Sequence, residues 1–364
     1  MSIPFVRGFK RPSSRDQIEA IGDLDTEPLS QLKWFRPRSP FEAIPQPQDS
    51  NDWLAQYCEE GQTYVEFLDD NPWLSSTKVS GYLDEFQPKR SCLKTKYPQG
   101  RIYLLQLGQC QSPIAPQGQD LTEFASAYLQ VPVEYLGTLE LVRRTALDWF
   151  LQVPDRIITL LKGSSGNRKR SSRLAEIKLK FRQEGDRVQW HCPKLLRDLK
   201  RFLPKDALAM ISVTMFDLYE GNPDLFVAGL ASGNDRVAVF SFARYDPALI
   251  FSSEFWHEIK ESGPTSTNIE WRKHLVLVRS LKLIVHELGH LLGFDHCIHF
   301  ACCMNGSGHL EEDFRQPMLL CPMCLRKLKT LCDINIPERY RSLRSLFNKH
   351  QMKAECALIE QLLA

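Results

Sequence analysis

The chain has 364 residues, 43% of them hydrophobic and 25% charged, with a net charge of +2. That size and composition fit one large globular domain with extensions, or two smaller domains, and exclude a wholly disordered chain. Near-neutral charge gives no strong field toward nucleic acid or an anionic membrane, and no apolar run reaches the roughly 18 residues of a membrane-spanning helix.

The first ten residues contain no apolar stretch of secretory-signal length, so a cytoplasmic or nuclear location is expected, with neither a membrane nor nucleic acid as partner. Eleven cysteines, an odd number, argue against a disulfide framework in such a compartment. Cys58, Cys92, Cys110, Cys192 and Cys356 are scattered, whereas Cys297, Cys302, Cys303, Cys321, Cys324 and Cys332 sit together. A cluster of that kind points to metal binding.

Residues 1–95 carry Pro-rich polar stretches and only short amphipathic pieces, and are expected to form a partly irregular N-terminal extension. A globular domain is expected over 96–345. It opens with the apolar run Arg101 to Gly108, a buried strand, followed by a helix that Asp120 would cap and that Pro132 ends. A second strand then runs from Val133 to Leu141, giving a βαβ unit. Residues 162–187 are basic, centred on Arg168 to Arg173, and read as a solvated insertion loop; the other reading is an import signal or a dock for an acidic partner.

Residues 194–203 read as a helix stopped by Pro204, and Ala207 to Phe216 as a central strand. Leu225 to Ala231 and Val237 to Phe242 read as a hairpin turned by Ser232-Gly-Asn-Asp235. From Glu270 to Leu292, apolar residues recur at helical period and predict a long helix. The last residues, 346–364, are expected to form a C-terminal helix.

The long helix ends in His286-Glu287-Leu288-Gly289-His290, followed by Gly293 and His296. A four-residue spacing stacks the two imidazoles on one helix face, one turn apart, as two nitrogen ligands to one Zn²⁺ at about 2.0–2.1 Å require. Gly293 can take the positive φ that turns the chain, so that His296 arrives as a third ligand and a fourth position stays open to water. Glu287, beside His286, is the general base for that water. The helical His pair alone is a weak signal; Gly293 and His296 in register make it specific.

Directly after His296 come Cys297, Cys302 and Cys303, then Met304, and later Cys321-Pro-Met-Cys324. The C-x-x-C turn grips one Zn²⁺ with two thiolates, and Cys297 and Cys302 supply two more, a closed and therefore structural site. Cys303 in place of Cys302 is the alternative, with His299, His309 or Cys332 as possible intruders. Met304 reads as a core filler.

Together, these residues resemble the pattern of the archaemetzincins, a metzincin family of zinc peptidases: H-E-x-x-H-x-x-G-x-x-H-C, four residues, C-x-M, and a later C-x-x-C. The resemblance extends to Phe240-Ser-Phe-Ala-Arg-Tyr245 and His309-Leu-Glu-Glu312 and covers about residues 100–345. It implies an α/β fold with a twisted mixed sheet and a long active-site helix. It also implies catalytic zinc on His286, His290 and His296, with Glu287 as acid/base, and a second zinc on Cys297, Cys302, Cys321 and Cys324. Met304 would lie in a Met-turn beneath the first metal.

The expectation is therefore a monomeric zinc metallopeptidase with two zinc ions per chain, acting on peptides or proteins, with an aminopeptidase as the finer reading. The alternatives are a non-catalytic zinc protein that binds peptides or partners in the same cleft and, from the cysteine cluster and basic loop, a nucleic-acid binder.

Overall fold

The computed structural model describes residues 9–25, 27–38, 40–74, 91–108, 112–162, 175–185, 187–221, 226–251, 259–260 and 268–364. Its strands are β1 (Arg101–Leu107), β2 (Val133–Arg143), β3 (Trp149–Gln152), β4 (Glu176–Lys178), β5 (Phe181–Glu184), β6 (Arg187–His191), β7 (Ala207–Thr214), β8 (Asp217–Tyr219), β9 (Gly229–Ser232) and β10 (Val237–Ser241), with a short pair at Ile250–Phe251 and Ile259–Lys260.

Seven of these strands form one sheet in the order β4-β3-β2-β1-β7-β10-β9. Its centre is parallel, β2 with β1, β1 with β7 and β7 with β10, and both flanks are antiparallel. The helix Gly118–Leu129 links β1 to β2, so the expected βαβ unit is present. It starts three residues earlier than expected: Gln117 is at the cap, and Asp120 lies in the first turn, where a carboxylate favours the helix dipole. The hairpin read from Ser232-Gly-Asn-Asp235 is β9–β10, and β9 ends the sheet.

Alternation along the strands divides the core in two. Ile102 and Leu104 of β1 join Leu208, Ile211, Ala238 and Phe240 on one face. Tyr103, Leu105 and Leu107 join Met210, Val237 and Val239 on the other. This is the period of two that pleating imposes, and both faces are covered, which is why β7 is apolar at nearly every position.

The long helix Ile269–Leu291 packs on the first face through Val276, Leu281, Ile284, Val285 and Leu288. The side chain of Asn268 caps it by accepting the amides of Glu270 and Trp271. The mixed α/β architecture expected from the sequence is therefore borne out.

Residues 9–74 are not peripheral to this core. The helices Ser14–Ile21, Leu29–Phe35 and Tyr64–Asp70 bury Ile21, Trp34, Phe35 and Phe67 in the cluster that includes the long helix, as does Trp73. Two buried cations of the helix Pro322–Cys332 hold them. The Arg326 guanidinium donates to the carbonyls of Ile21 and Asp23 at 2.7 Å and pairs with Glu27, and Lys327 donates to the carbonyl of Gln62 at 2.5 Å.

The basic run Arg168 to Arg173 lies outside the described residues. The described part of 162–187 differs from a loop: it holds β4 and β5 and the start of β6. β4 extends the sheet beside β3, and β5 pairs with β6, but strands of three to five residues are too short to leave a periodic signal. The chain closes with the helices Ile336–Lys349 and Lys353–Leu363. No helix among the described residues is long and apolar enough to cross a membrane.

Candidate metal centre

The long helix stops where its sequence requires. Gly293 takes φ +86°, its amide donates to the carbonyl of His290 at 2.9 Å, and the amide of Phe294 donates to that of Gly289 at 3.0 Å. This bond pair is a Schellman cap, which reverses the chain with glycine in the left-handed region. The turned chain brings His296 back to the face that carries His286 and His290. One ligand-capable nitrogen from each of the three lies within 4.8 Å of the others, and the Nε2 atoms of His286 and His290 are 2.9 Å apart.

The second nitrogen of each ring is occupied. Nδ1 of His286 donates to the carbonyl of Cys303 at 2.7 Å, and Nδ1 of His290 to that of Phe294 at 2.7 Å. Nδ1 of His296 meets the Oε1 atom of Glu59 at 2.9 Å. Fixing the proton on Nδ1 leaves each Nε2 lone pair directed at the shared point, the tautomer that a metal ligand needs. Burial, and then the neighbouring imidazoles, hold the His286 pKa well below its usual value and bring His290 to about 4, so both rings are neutral at pH 7. Three imidazole nitrogens this close fit a divalent cation of zinc's preference and leave one coordination position free.

Glu287 lines the same cleft as the three histidines. Burial, and then the negative charge of Asp313, push its carboxyl up to about 8. A cation beside it would reverse that shift. Met304 lies under the helix, where a Cβ at Gly289 would meet its Sδ at 2.7 Å. The opposite wall of the cleft is Phe226 to Ala231, including the edge strand β9, with Trp53 and Tyr245 further round.

The sulfurs of Cys297, Cys302, Cys321 and Cys324 lie within 4.8 Å of one another, and all four residues are buried. Backbone amides point at them: Met304 and Cys321 donate to the Sγ of Cys302 at 3.4 and 3.3 Å, and Cys324 donates to the Sγ of Cys321 at 3.4 Å. Burial raises the Cys302 and Cys321 thiols, while hydrogen bonds from neighbouring sulfurs outweigh burial at Cys297 and pull it down. Four thiolates need a cation to be charged together, so the donor set fits zinc. Cys303 is outside the group and lies against Tyr128, with its thiol pushed up to about 12 by burial. Cys332 is buried elsewhere, and its thiol is likewise pushed up to about 12. His299 is buried with neither ring nitrogen hydrogen-bonded.

A third group, Asp52, His309 and Glu312, has its acceptors occupied. Oδ1 of Asp52 takes His309 and Arg315, both at 2.8 Å, and Oε2 of Glu312 takes the amides of Trp53 and Gly308 at 2.8 and 2.6 Å. With a guanidinium and two amide dipoles already present, it works as a structural clasp between the N-terminal segment and the loop after Met304.

The site residues chosen from sequence thus fall into two groups, three histidines with Glu287 and four cysteines. Sequence reasoning missed Glu59, Trp53 and Asp313. Asp313 follows directly on the Glu311-Glu312 pair and was within reach of the sequence, whereas residues 53 and 59 have no local signal.

Residues 266–330 match the model of peptidase family M54. Archaemetzincin-2 of Mus musculus is 39% identical over 181 residues, covering 47% of this chain and 50% of the relative. Archaemetzincin-2 of Rattus norvegicus is 34% identical over 227 residues, covering 59% and 62%. The chain therefore spans about half to three fifths of the length of these relatives. A zinc-dependent peptidase from Methanocorpusculum labreanum, known from its crystal structure, is 22% identical, with 62% of this chain and 99% of that one covered and a TM-score of 0.38. The resemblance to the archaemetzincins is borne out.

Proposed function

Taking the archaemetzincin resemblance of its metal segment as the premise, we propose that this chain is a zinc metallopeptidase that hydrolyses peptide bonds with Glu287 as general acid/base. The observation that carries the reading is the donor set at the end of the long helix. Three imidazoles converge with their second nitrogens already engaged, and the half-buried carboxyl of Glu287 lines the same cleft. His286, His290 and His296 hold the catalytic zinc. Cys297, Cys302, Cys321 and Cys324 hold a structural one, for two per chain.

Bound zinc supplies a Lewis acid that polarises the scissile carbonyl and acidifies a water. Glu287 takes a proton from that water as its oxygen attacks the carbonyl carbon. As the C–N bond breaks, the same carboxyl passes the proton to the departing amine. Among the described residues β9 pairs with β10 alone, so its outer edge beside the cleft is where an extended peptide can add as a further strand. The metzincin arrangement supports placing Met304 beneath the catalytic metal. The aminopeptidase assignment rests on the resemblance alone, and comparing free with N-acetylated peptides tests it.

The deciding experiment pairs wild type with Glu287→Gln, both zinc-replete, on a peptide library. Turnover should fall at least 100-fold while metal content and folding stay unchanged. No cleavage by either protein, with metal present in both, would make the cleft a binding site instead.

A further inference from the structure

We infer that Glu59 is a positioning residue of the metal centre and that residues 51–62 are a built-in part of it; the inference rests on the zinc assignment to the three histidines. The first two histidines are oriented by carbonyls from nearby turns, but the third is not. Nδ1 of His296 engages the Glu59 carboxylate at 2.9 Å across 237 positions of sequence. Among the described residues, this is the one ring of the three whose Nδ1 meets a carboxylate. A carboxylate behind a ligating imidazole fixes ring orientation and makes the nitrogen on the metal side a better donor. It also offsets part of the charge that a dication brings to three imidazole ligands.

The segment carrying Glu59 is anchored on both sides of that contact. Downstream, Gln62 accepts the amide of Asp295 and donates to the carbonyl of Gly293, both at 3.3 Å, while Lys327 holds Gln62 from behind at 2.9 Å. These are the residues that deliver His296 to the site. Upstream, the Trp53 amide binds Glu312, and Asp52 binds His309 and Arg315. The Trp53 ring stands edge-on to His296, with centroids 5.1 Å apart. The carbonyl of Asn51 occupies the space that a side chain at Gly308 would need, so the loop after Met304 is cut to receive this segment. Gln62 contacts the chain that delivers His296, while Asn51, Asp52 and Trp53 meet the loop and short helix after Met304, which is what a group built to orient the third ligand requires.

The test uses the full, zinc-loaded chain challenged with excess chelator, with zinc release followed in wild type, Glu59→Gln and Glu59→Ala. The chelator-labile zinc should leave about 10–100-fold faster from Glu59→Ala. Glu59→Gln, which keeps an acceptor and loses the charge, should fall between. Cobalt substituted at the labile site should show a shifted d–d spectrum in Glu59→Ala but not in Glu66→Ala, a nearby carboxylate that only caps the helix Tyr64–Asp70. Release from Glu59→Ala within twofold of wild type, with an unshifted spectrum, overturns the inference. Wild-type protein with no chelator-labile metal overturns the zinc assignment and this inference together, a result the variants alone cannot produce.

Discussion

Asn71 donates its side-chain amide to the carbonyl of Leu292 at 2.8 Å and fills the space beside Gly293 where a side chain would stand. The indole of Trp73 does the same for Leu291 at 3.2 Å. A helix end leaves carbonyls without partners, and here the N-terminal segment satisfies two of them at the turn between the second and third histidines.

Gly293→Ala should therefore be costly on two counts. Residue 293 must hold φ +86°, and the new Cβ would collide with the Asn71 amide. We expect a loss of about 1–3 kcal/mol, read as a lower thermal midpoint, with weaker metal binding because His296 is displaced. An unchanged midpoint would contradict the cap geometry.

The metal-free protein gives a pH test of Glu287. Its folded-state pKa is raised to about 8, so the protonated carboxyl is the form that the fold tolerates. Its favourable contribution is present below the ordinary carboxylate value and is lost as pH rises through about 8. Metal-free Glu287→Gln, a mimic of the neutral form, should then unfold at higher denaturant than wild type near pH ~9, with the gap closing toward pH ~5. A gap independent of pH would refute the shift.

Zinc counts should separate two adjacent cysteines. Cys302→Ser removes one of the four clustered sulfurs and should cost one zinc per chain and several kcal/mol of stability. Cys303→Ser should retain the full metal complement, because its thiol lies against Tyr128. Elemental analysis with thermal melts reads both, and equal zinc loss from the two variants would refute the assignment.

Arg244 grips Asp217 with two bonds, Nε to Oδ1 at 3.0 Å and Nη2 to Oδ2 at 2.7 Å, and its guanidinium lies 3.6 Å from the centroid of the Phe226 ring on the cleft wall. Arg244→Ala leaves a buried carboxylate short of its cation and should cost about 3–5 kcal/mol in denaturant unfolding. The peptide KM should rise as the wall loosens. A loss under about 1 kcal/mol would mean the pair is not truly buried.

A slowly cleaved peptide should slow amide exchange in Gly229–Ser232, the edge strand beside the cleft. Mass-spectrometric exchange with protection confined to other segments would rule out strand addition.

Much of this was readable from the chain itself. β1, β2, β7 and the long helix each left a period of two, an unbroken apolar run or a period near four, and the two donor sets were written as fixed spacings. The sequence reading prefers Cys302 and leaves Cys303 as the alternative, since neighbouring residues differ only in which way the chain turns. The helices at Ser14–Ile21, Leu29–Phe35 and Tyr64–Asp70 are seven or eight residues long, too short for periodicity to declare a buried face. Glu59 was invisible for a deeper reason: its partner lies 237 positions away, and nothing local to residue 59 records that meeting.

The clasp of Glu59 on His296 also orders events in time. Residue 59 leaves the ribosome well before residue 296, and closing a ring of 237 positions carries an entropic penalty that local contacts do not repay. The early segment must wait for its late partner, so the third imidazole gains its backing carboxylate only after the chain through residue 296 has been made. A nascent chain that captures the ion early would hold it loosely, with firm retention arriving once these two distant stretches dock.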